Sequence, residues 1–470
     1  MSKIVFLAMS QGSWVKPVNP DSYTQGFINA LARMGNSVTC IILNGFNQPK
    51  LNDAVIHLKP DYIFTINHEG ISKKILKETN CPIITDINDS LPFLKNLNLI
   101  YEYRERYYFT HKVQDTIHQI NAVLPYMPKD RNVILGHATD LHRQDIEQDI
   151  PISFIGSLSN WDKSIPNYWR NEFQNSDLTC PEDLEKLKNK KDAFLRQMEE
   201  YAAAPLDPCS SVLTNPALTN FGKVSNNRNY AQAVTLLKTC NLRYAVLEQL
   251  TDLGLRIYSY PIGMVDVISY NIKMFECFDF TPSVTLADAE RTFNRSKISI
   301  NLPHAHVVNG FSWRVPDILA SNACLLSDFR PDLKKLMTGY IDIPMYESPA
   351  EARELAQKLL KDDVWRKDIV AASQQMIENK CRFEHRLRKL AEKTGLKLEC
   401  PEEKRSLLLE RGEEHTTLFS NKNTIETKKP VSDFTENMFR FIFKIILMLC
   451  LQKEKRKYLR KRFSVSKKNY

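Results

Sequence analysis

Short apolar runs recur through the first half of the chain, and helical patterns fall between them. Ile4 to Ala8, Val38 to Leu43, Tyr62 to Ile66 and Ile83 to Ile87 are each short, continuous and rich in β-branched or aromatic residues, which is how buried strands read. Phe27 to Met34 carries a helical pattern ended by Gly35 and Asn36, and further helical stretches cover Asp53 to Leu58 and Ser72 to Thr79. Val133 to Leu135 and Ile152 to Ile155 add short strands, and Leu255 to Tyr258 and Ile298 to Leu302 add two more. Strands alternating with helices predict an α/β fold built on parallel, doubly wound sheets. Residues 165–250 read as mostly helical, with LEKLKNKKDAFLRQMEEYAA as the clearest amphipathic run. Helices are expected from Pro349 to Leu360, Val364 to Glu378 and Phe383 to Leu390.

The chain is organised around Asn309 to Ser327, NGFSWRVPDILASNACLLS. It reads as a loop, a short helix with Pro316 in its first turn, and an apolar strand from Ala323. An acid on a helix between a loop and a strand lies near the ligand edge of such a fold. Asp317 can accept hydrogen bonds from two vicinal hydroxyls, as a ribose presents them. Arg314 offers a fixed fork of donors for a phosphate, and the helix start adds free N–H groups. The same residues could also form a capped, ion-paired surface helix.

At 470 residues the chain has room for two or three domains,. Hydrophobic residues make up 43% and aromatics 10%, a globular composition. Its ten cysteines are scattered without a CxxC pair, so reduced thiols in a cytoplasmic protein are the simplest expectation. No signal peptide is read at Met1 to Ser10, where a charged start leads directly into a strand,. The net charge of +9 is concentrated at the end. Gln452 to Tyr470 holds nine Lys or Arg and one Glu, which is +8, and leaves +1 for everything before it. That distribution argues against a nucleic-acid binder, since the body presents no basic excess.

Further chemistry lies at strand ends. No GxGxxG follows the first strand, where the chain reads Gln11, Gly12, Ser13, Trp14, so the classical dinucleotide fingerprint is absent. The third strand ends in Asn67, His68 and Glu69, and the fourth in Asp86, Ile87, Asn88 and Asp89. His68, Glu69, Asp86 and Asp89 are candidate cleft residues, although the two aspartates could equally cap a helix starting near Ser90,. Ile152 to Ser159 runs an apolar strand into a Gly156–Ser157 turn that can cradle a phosphate, and Lys163 and Arg170 follow within reach of a pyrophosphate. Pro303, His304, Ala305, His306 contains an HxH pair, but zinc requires further ligands and none stands nearby,.

The Asn309 to Leu326 stretch resembles the donor-nucleotide motif of group 1 glycosyltransferases with the GT-B fold. Asn309, Phe311, Ser312, Asp317, Ala320, Leu325 and Leu326 match it without a gap. Asn309 stands where the motif has an acid, and Ser312 and Asn322 stand where it has glycines. Gly310, Arg314 and Asp317, in that order, resemble the spore-maturation (CgeB-like) branch. The TINH strand end at Thr65 to His68 and the acidic turn after Ile83 to Ile87 are similar to the domain that accompanies this branch. The GHATD turn at Gly136 to Asp140 resembles one that precedes the crossover between domains, which puts the boundary near residue 150.

The resemblance implies two Rossmann-like domains facing a cleft, with residues 1–150 holding the acceptor and 151–395 the nucleotide-sugar donor. It implies a glycosyltransferase acting on a surface-polysaccharide, lipid-linked or protein acceptor. Asp317 would bind the ribose, and Asn309 and Gly310 the donor sugar. Arg314 and the Gly156–Ser157 turn would bind the diphosphate, with His304 beside it. Asp86, Asp89 or His68 would serve as base if the reaction inverts. No metal or other cofactor is implied, because basic groups neutralise the leaving diphosphate. A sugar-nucleotide epimerase, or a tethered sugar- or nucleotide-binding protein without catalysis, are the alternatives.

Residues 396–435 turn polar and read as a flexible linker,. Phe439 to Leu451, FRFIFKIILMLCL, is too short to span a bilayer, which needs about 20 residues,. With Arg440, Lys444 and the basic end beyond, residues 436–470 read as an interfacial amphipathic helix on the cytoplasmic leaflet. The alternative is a helix packed on the protein's own body.

Overall fold

The computed structural model describes residues 1–11, 19–43, 47–88, 96–124, 127–158, 185, 239–259, 267, 271–279, 281, 285–305, 307, 309–400, 406–411 and 417–418. Two parallel sheets organise them. The first has eight strands in the order Thr417–Leu418, Ser406–Arg411, Ser37–Ile42, Lys3–Ala8, Tyr62–Ile66, Ile83–Ile87, Tyr107–His111, Asn132–Ile134. All its pairings are parallel except the antiparallel contact of Leu408 with Leu418. The second has five parallel strands in the order Leu255–Tyr258, Ile150–Ile155, Ser296–Asn301, Cys324–Asp328, Met345–Tyr346. A doubly wound α/β architecture with two Rossmann-like domains is therefore what the chain forms.

Alternation along the strands gives the first sheet two separate cores. Phe6, Phe64 and Ile84 face one side, where they meet Tyr23, Phe27 and Leu31 of the helix Ser22–Arg33. Val5, Ile63, Ile83 and Tyr107 face the other, against Leu51, Val55 and Ile75. A third core belongs to the second sheet. The strand Tyr107–His111 and the helix Gln114–Val123 complete the first domain; the apolar pattern singled out neither.

The final long helix, Phe383–Thr394, crosses back to the first domain. Its Phe383, Leu387 and Leu390, spaced four and three apart, pack into the core around the first helix,. Phe27 and Phe383 stack with centroids 5.4 Å apart. Gly26 permits this approach, since a Cβ there would lie 2.7 Å from both Phe383 and the Asp140 side chain.

The expected linker from residue 396 is corrected at its start. Leu396 and Leu398 are buried, the Asn36 side-chain amide donates to the Leu398 carbonyl at 2.7 Å, and the Cys400 N–H donates to Met34 O at 2.9 Å. Ser406–Arg411 then adds a parallel strand to Ser37–Ile42. The reason is physical: without it, that strand would present an edge of unpaired N–H and C=O groups, and the sequence SLLLER supplies a strand for it. The amphipathic run at 184–203 and the basic segment 436–470 lie outside the described residues, apart from Glu185. No described helix is long and apolar enough to cross a membrane.

Candidate functional site

The chain reverses its direction of travel across the second sheet at Ile150–Ile155, which has Leu255–Tyr258 on one side and Ser296–Asn301 on the other. Ligands of open α/β sheets collect at such a point, beyond the carboxyl ends of the strands. Gly156, Ser157 and Leu302 occupy those ends. Arg243 reaches them from residues 239–248, which are helical. Its Nε donates to Leu302 O at 3.0 Å, and its Nη1 donates to Ser157 O at 2.7 Å and to Ser157 Oγ at 3.2 Å. Gly156 donates its N–H to Tyr258 O at 3.0 Å.

Arg243 is buried, and among the described residues no carboxylate pairs with it. Burial, with the neighbouring charge of Arg314, brings its pKa down to about 9. Two guanidiniums near enough to repel each other, one of them buried without an acid at a switch point, make a site that an anion would complete,. Sequence reasoning missed Arg243. The signal was present: Cys240, Tyr244 and Leu247 form a buried helical stripe, and Arg243 occupies a position on that stripe where a hydrophobic residue is the rule.

The organising stretch is a loop leading into the helix Arg314–Ala320 and the strand Cys324–Asp328. Asn309 accepts the Asp332 N–H at its carbonyl, at 3.2 Å. Ser312 Oγ donates to Asn301 Oδ1 at 2.6 Å, which ties the loop to the strand it follows. Gly310 lies against the first domain, where a Cβ would come 2.5 Å from Val113. His304 is half-buried, with its carbonyl accepting the Val307 N–H at 2.9 Å. Arg314 lies over the Trp313 ring, 4.4 Å from its centroid.

Asp317 is buried at the boundary between the domains, and both of its oxygens accept hydroxyl hydrogen bonds from the first domain. Ser22 Oγ donates to Oδ2 at 2.9 Å and Thr139 Oγ1 to Oδ1 at 2.5 Å. Burial pushes its pKa up to about 7, against the two hydroxyls and Arg314, which act to lower it. Asp21, on the first domain's side of this cluster, is likewise raised by burial while Arg314 opposes the rise; its carboxylate caps the first helix through Thr24 N–H at 2.8 Å.

In the first domain, Asp86 ends the strand Ile83–Ile87 and is also buried. Lys112 Nζ stands 2.6 Å from Oδ1, Tyr23 OH donates to Oδ2 at 2.9 Å, and Thr110 Oγ1 donates to Oδ1. Burial lowers the Lys112 ammonium against the pull of Asp86. His68 does not join this group. Its Nε2 meets Tyr107 OH at 2.6 Å, and Tyr107 belongs to the opposite core of the sheet, so the structure separates the two candidates by the thickness of a sheet. Asn67 and His68 both take left-handed backbone angles there. Asp89, Lys163, Arg170 and His306 lie outside the described residues.

His137, in the GHATD turn, reaches toward the second domain. It hydrogen-bonds the Phe311 backbone, and burial together with Lys112 and Arg386 holds it well below the ordinary histidine range. Its Nδ1 is buried with no hydrogen-bond partner among the described residues. The Phe311 ring stands 5.8 Å from it and Tyr23 6.0 Å.

Residues 243–392 match the family described as glycosyl transferase-like. No curated protein matches the chain's sequence. Among solved structures, the β-glucosyltransferase of phage T4 in complex with UDP-glucose is similar at 11% identity, over 84% of this chain and 100% of that one, with a TM-score of 0.43. HepE of Anabaena in complex with UDP-glucose gives the same identity, coverage and score. A glycosyltransferase from Rickettsia africae is similar at 11% identity over 83% of this chain and 98% of that one, with a TM-score of 0.39. Scores below 0.5 mark these as distant likenesses. The family match begins at Arg243 and takes in Arg314, Asp317 and most of the helix that returns to the first domain: the second half of the chain carries a glycosyl transferase-like domain.

Proposed function

We propose that the chain moves a sugar from a nucleotide-sugar donor to a surface-polysaccharide, lipid-linked or protein acceptor. The observation that carries this is the Arg243–Arg314 pair at the switch point of the second sheet. Their guanidiniums, with the Gly156–Ser157 turn, hold the diphosphate and take up the charge that develops on it as the glycosidic bond breaks. His304 lies beside the phosphates, and Asn309 and Gly310 face the sugar. Asp317 accepts the two ribose hydroxyls. Asp86, with Tyr23 and Lys112 on it, is the acid–base group offered to the acceptor, and Asp89 is its alternative. The order Gly310, Arg314, Asp317 supports placement in the spore-maturation branch. Residues 436–470 hold the protein on an anionic leaflet, near a lipid-linked acceptor.

Thermal melting with a panel of nucleoside diphosphates and their sugars tests the donor side. A ligand that binds only the folded state raises the melting temperature by mass action. One diphosphate and its sugars should shift it and the bare nucleosides much less. A melting temperature unmoved by every diphosphate at millimolar concentration would overturn the reading.

A further inference from the structure

The carboxylate assigned to the ribose is already occupied by two hydroxyls. Ser22 Oγ and Thr139 Oγ1, 2.9 and 2.5 Å away, sit one on each oxygen of Asp317. This is the pattern in which a vicinal diol would meet it. Both come from the first domain, and Asp317 comes from the second. Ser22 is the first residue of the helix Ser22–Arg33, next to its Asp21 cap. Thr139 is fixed where the chain passes between domains: its N–H donates to Cys381 O at 3.0 Å, and its Oγ1 accepts the Leu141 N–H at 3.0 Å. Gly310 of the donor loop abuts Val113 too closely for a side chain. In this arrangement Asp317 is 1% exposed and each of its oxygens already accepts a hydroxyl.

We propose that Ser22 and Thr139 form an internal stand-in for the ribose, so that donor binding requires the domains to part and the domains close on Asp317 when the donor leaves. This rests on the assignment of Asp317 to the ribose made above. The physical consequence follows from population shift. Where only a fraction of molecules is open, the apparent affinity falls by that fraction. Removing the two hydroxyls leaves a buried carboxylate unsatisfied in the closed form alone, which tips the balance toward the open one.

The test compares wild type, the double variant Ser22→Ala/Thr139→Val and, separately, Asp317→Ala, using UDP, GDP, ADP and CDP and the 2′,3′-dideoxy form of whichever binds best. Calorimetry should show the double variant binding its ribonucleoside diphosphate about ten-fold more tightly or better, as the loss of two charged hydrogen bonds predicts. The dideoxy form should gain too, because opening helps any ligand of the site. Small-angle scattering should show the free double variant more extended than free wild type. Unchanged or weaker binding by a folded double variant overturns the stand-in. If the double variant does not fold, each single variant is measured instead, with a smaller gain in the same direction expected and no gain counting against the proposal. Asp317→Ala tests the underlying assignment by itself. It should abolish the preference for ribo- over dideoxynucleotide, and a preference that survives removes the ribose from Asp317 whatever the double variant does. A wild type that binds none of the four while the double variant binds one supports the stand-in; no binding by either overturns both.

Discussion

Arg243 and Asp317 are two buried ionisable groups whose environments push them in opposite ways. Arg243 loses solvation and gains Arg314 as a neighbour, so in the proposed site an arriving diphosphate would relieve a repulsion as well as form hydrogen bonds. Arg243→Ala is expected to weaken the diphosphate ten-fold or more, a loss of about 1.5–3 kcal/mol for a charged hydrogen bond, while the nucleoside alone is affected far less. Calorimetry with both ligands checks this, and equal losses would make Arg243 a structural residue. Asp317 titrates near 7 in the folded protein against 3.8 as a free side chain. The folded state therefore holds a proton there that the unfolded state releases across that interval. Its contribution to stability is fully present below pH 4 and is withdrawn as pH rises to 7, by up to about 4 kcal/mol. Urea unfolding of Asp317→Asn should show a flatter dependence over pH 4–7 than wild type. Parallel profiles for the two proteins would mean that another group carries the slope.

Two elements late in the chain pack onto the first domain, and each has a local cause. The helix Phe383–Thr394 presents Phe383, Leu387 and Leu390 on one stripe to the first domain's core. Leu387 is fully buried, so Leu387→Ala should cost about 2–5 kcal/mol, read by denaturant melting. A cost below 1 kcal/mol would mean that the return helix is not part of that core. The strand Ser406–Arg411 covers the edge of Ser37–Ile42. A chain ending at 405 should lose hydrogen-exchange protection at the Ser37–Ile42 amides that face this edge, whereas a chain ending at 435 should keep it. Equal protection in both would show that the added strand contributes nothing to the edge.

At the scale of the whole molecule the charge is lopsided, with +8 of the +9 in the last nineteen residues from Gln452 to Tyr470. Basic residues near an anionic leaflet contribute roughly 1 kcal/mol each, and the apolar run Phe439 to Leu451 adds burial that salt does not screen. Full-length protein is expected to float with liposomes containing anionic lipid and to be released only in part by high salt. Protein lacking residues 436–470 should stay in solution with its body folded. Full-length protein that fails to float, or truncated protein that floats, would remove the tail's role as an anchor. Turnover is expected to survive EDTA, since in the proposed site Arg243 and Arg314 would supply the positive charge at the leaving group. Loss of activity in EDTA that Mn²⁺ or Mg²⁺ restores would contradict that account.

The sequence by itself determined the alternation of strands and helices, the strand at Ile152 to Ile155 that opens the second sheet and the candidate donor stretch from Asn309. These are written in local periodicity, and an apolar run of five residues can be read without knowing its neighbours. It also carried one signal that went unread, the arginine on an apolar helical stripe at Arg243. What only the tertiary structure decided is which polar groups meet. His68 and Asp86 end adjacent strands and look equivalent along the chain, yet the two-residue period of a strand and the turn between them put them on opposite faces of the sheet. Tyr23 comes to Asp86 from the first helix, and Thr110 and Lys112 from the strand Tyr107–His111 and the turn directly after it. Ser22, Thr139 and Asp317 are separated by as many as 295 positions and still share one buried carboxylate. Hydrogen bonds of that reach depend on how two domains close, and no local pattern of hydrophobic and polar residues encodes the closure. It is set by the packing of the return helix and the crossover turn, which only the assembled cores fix.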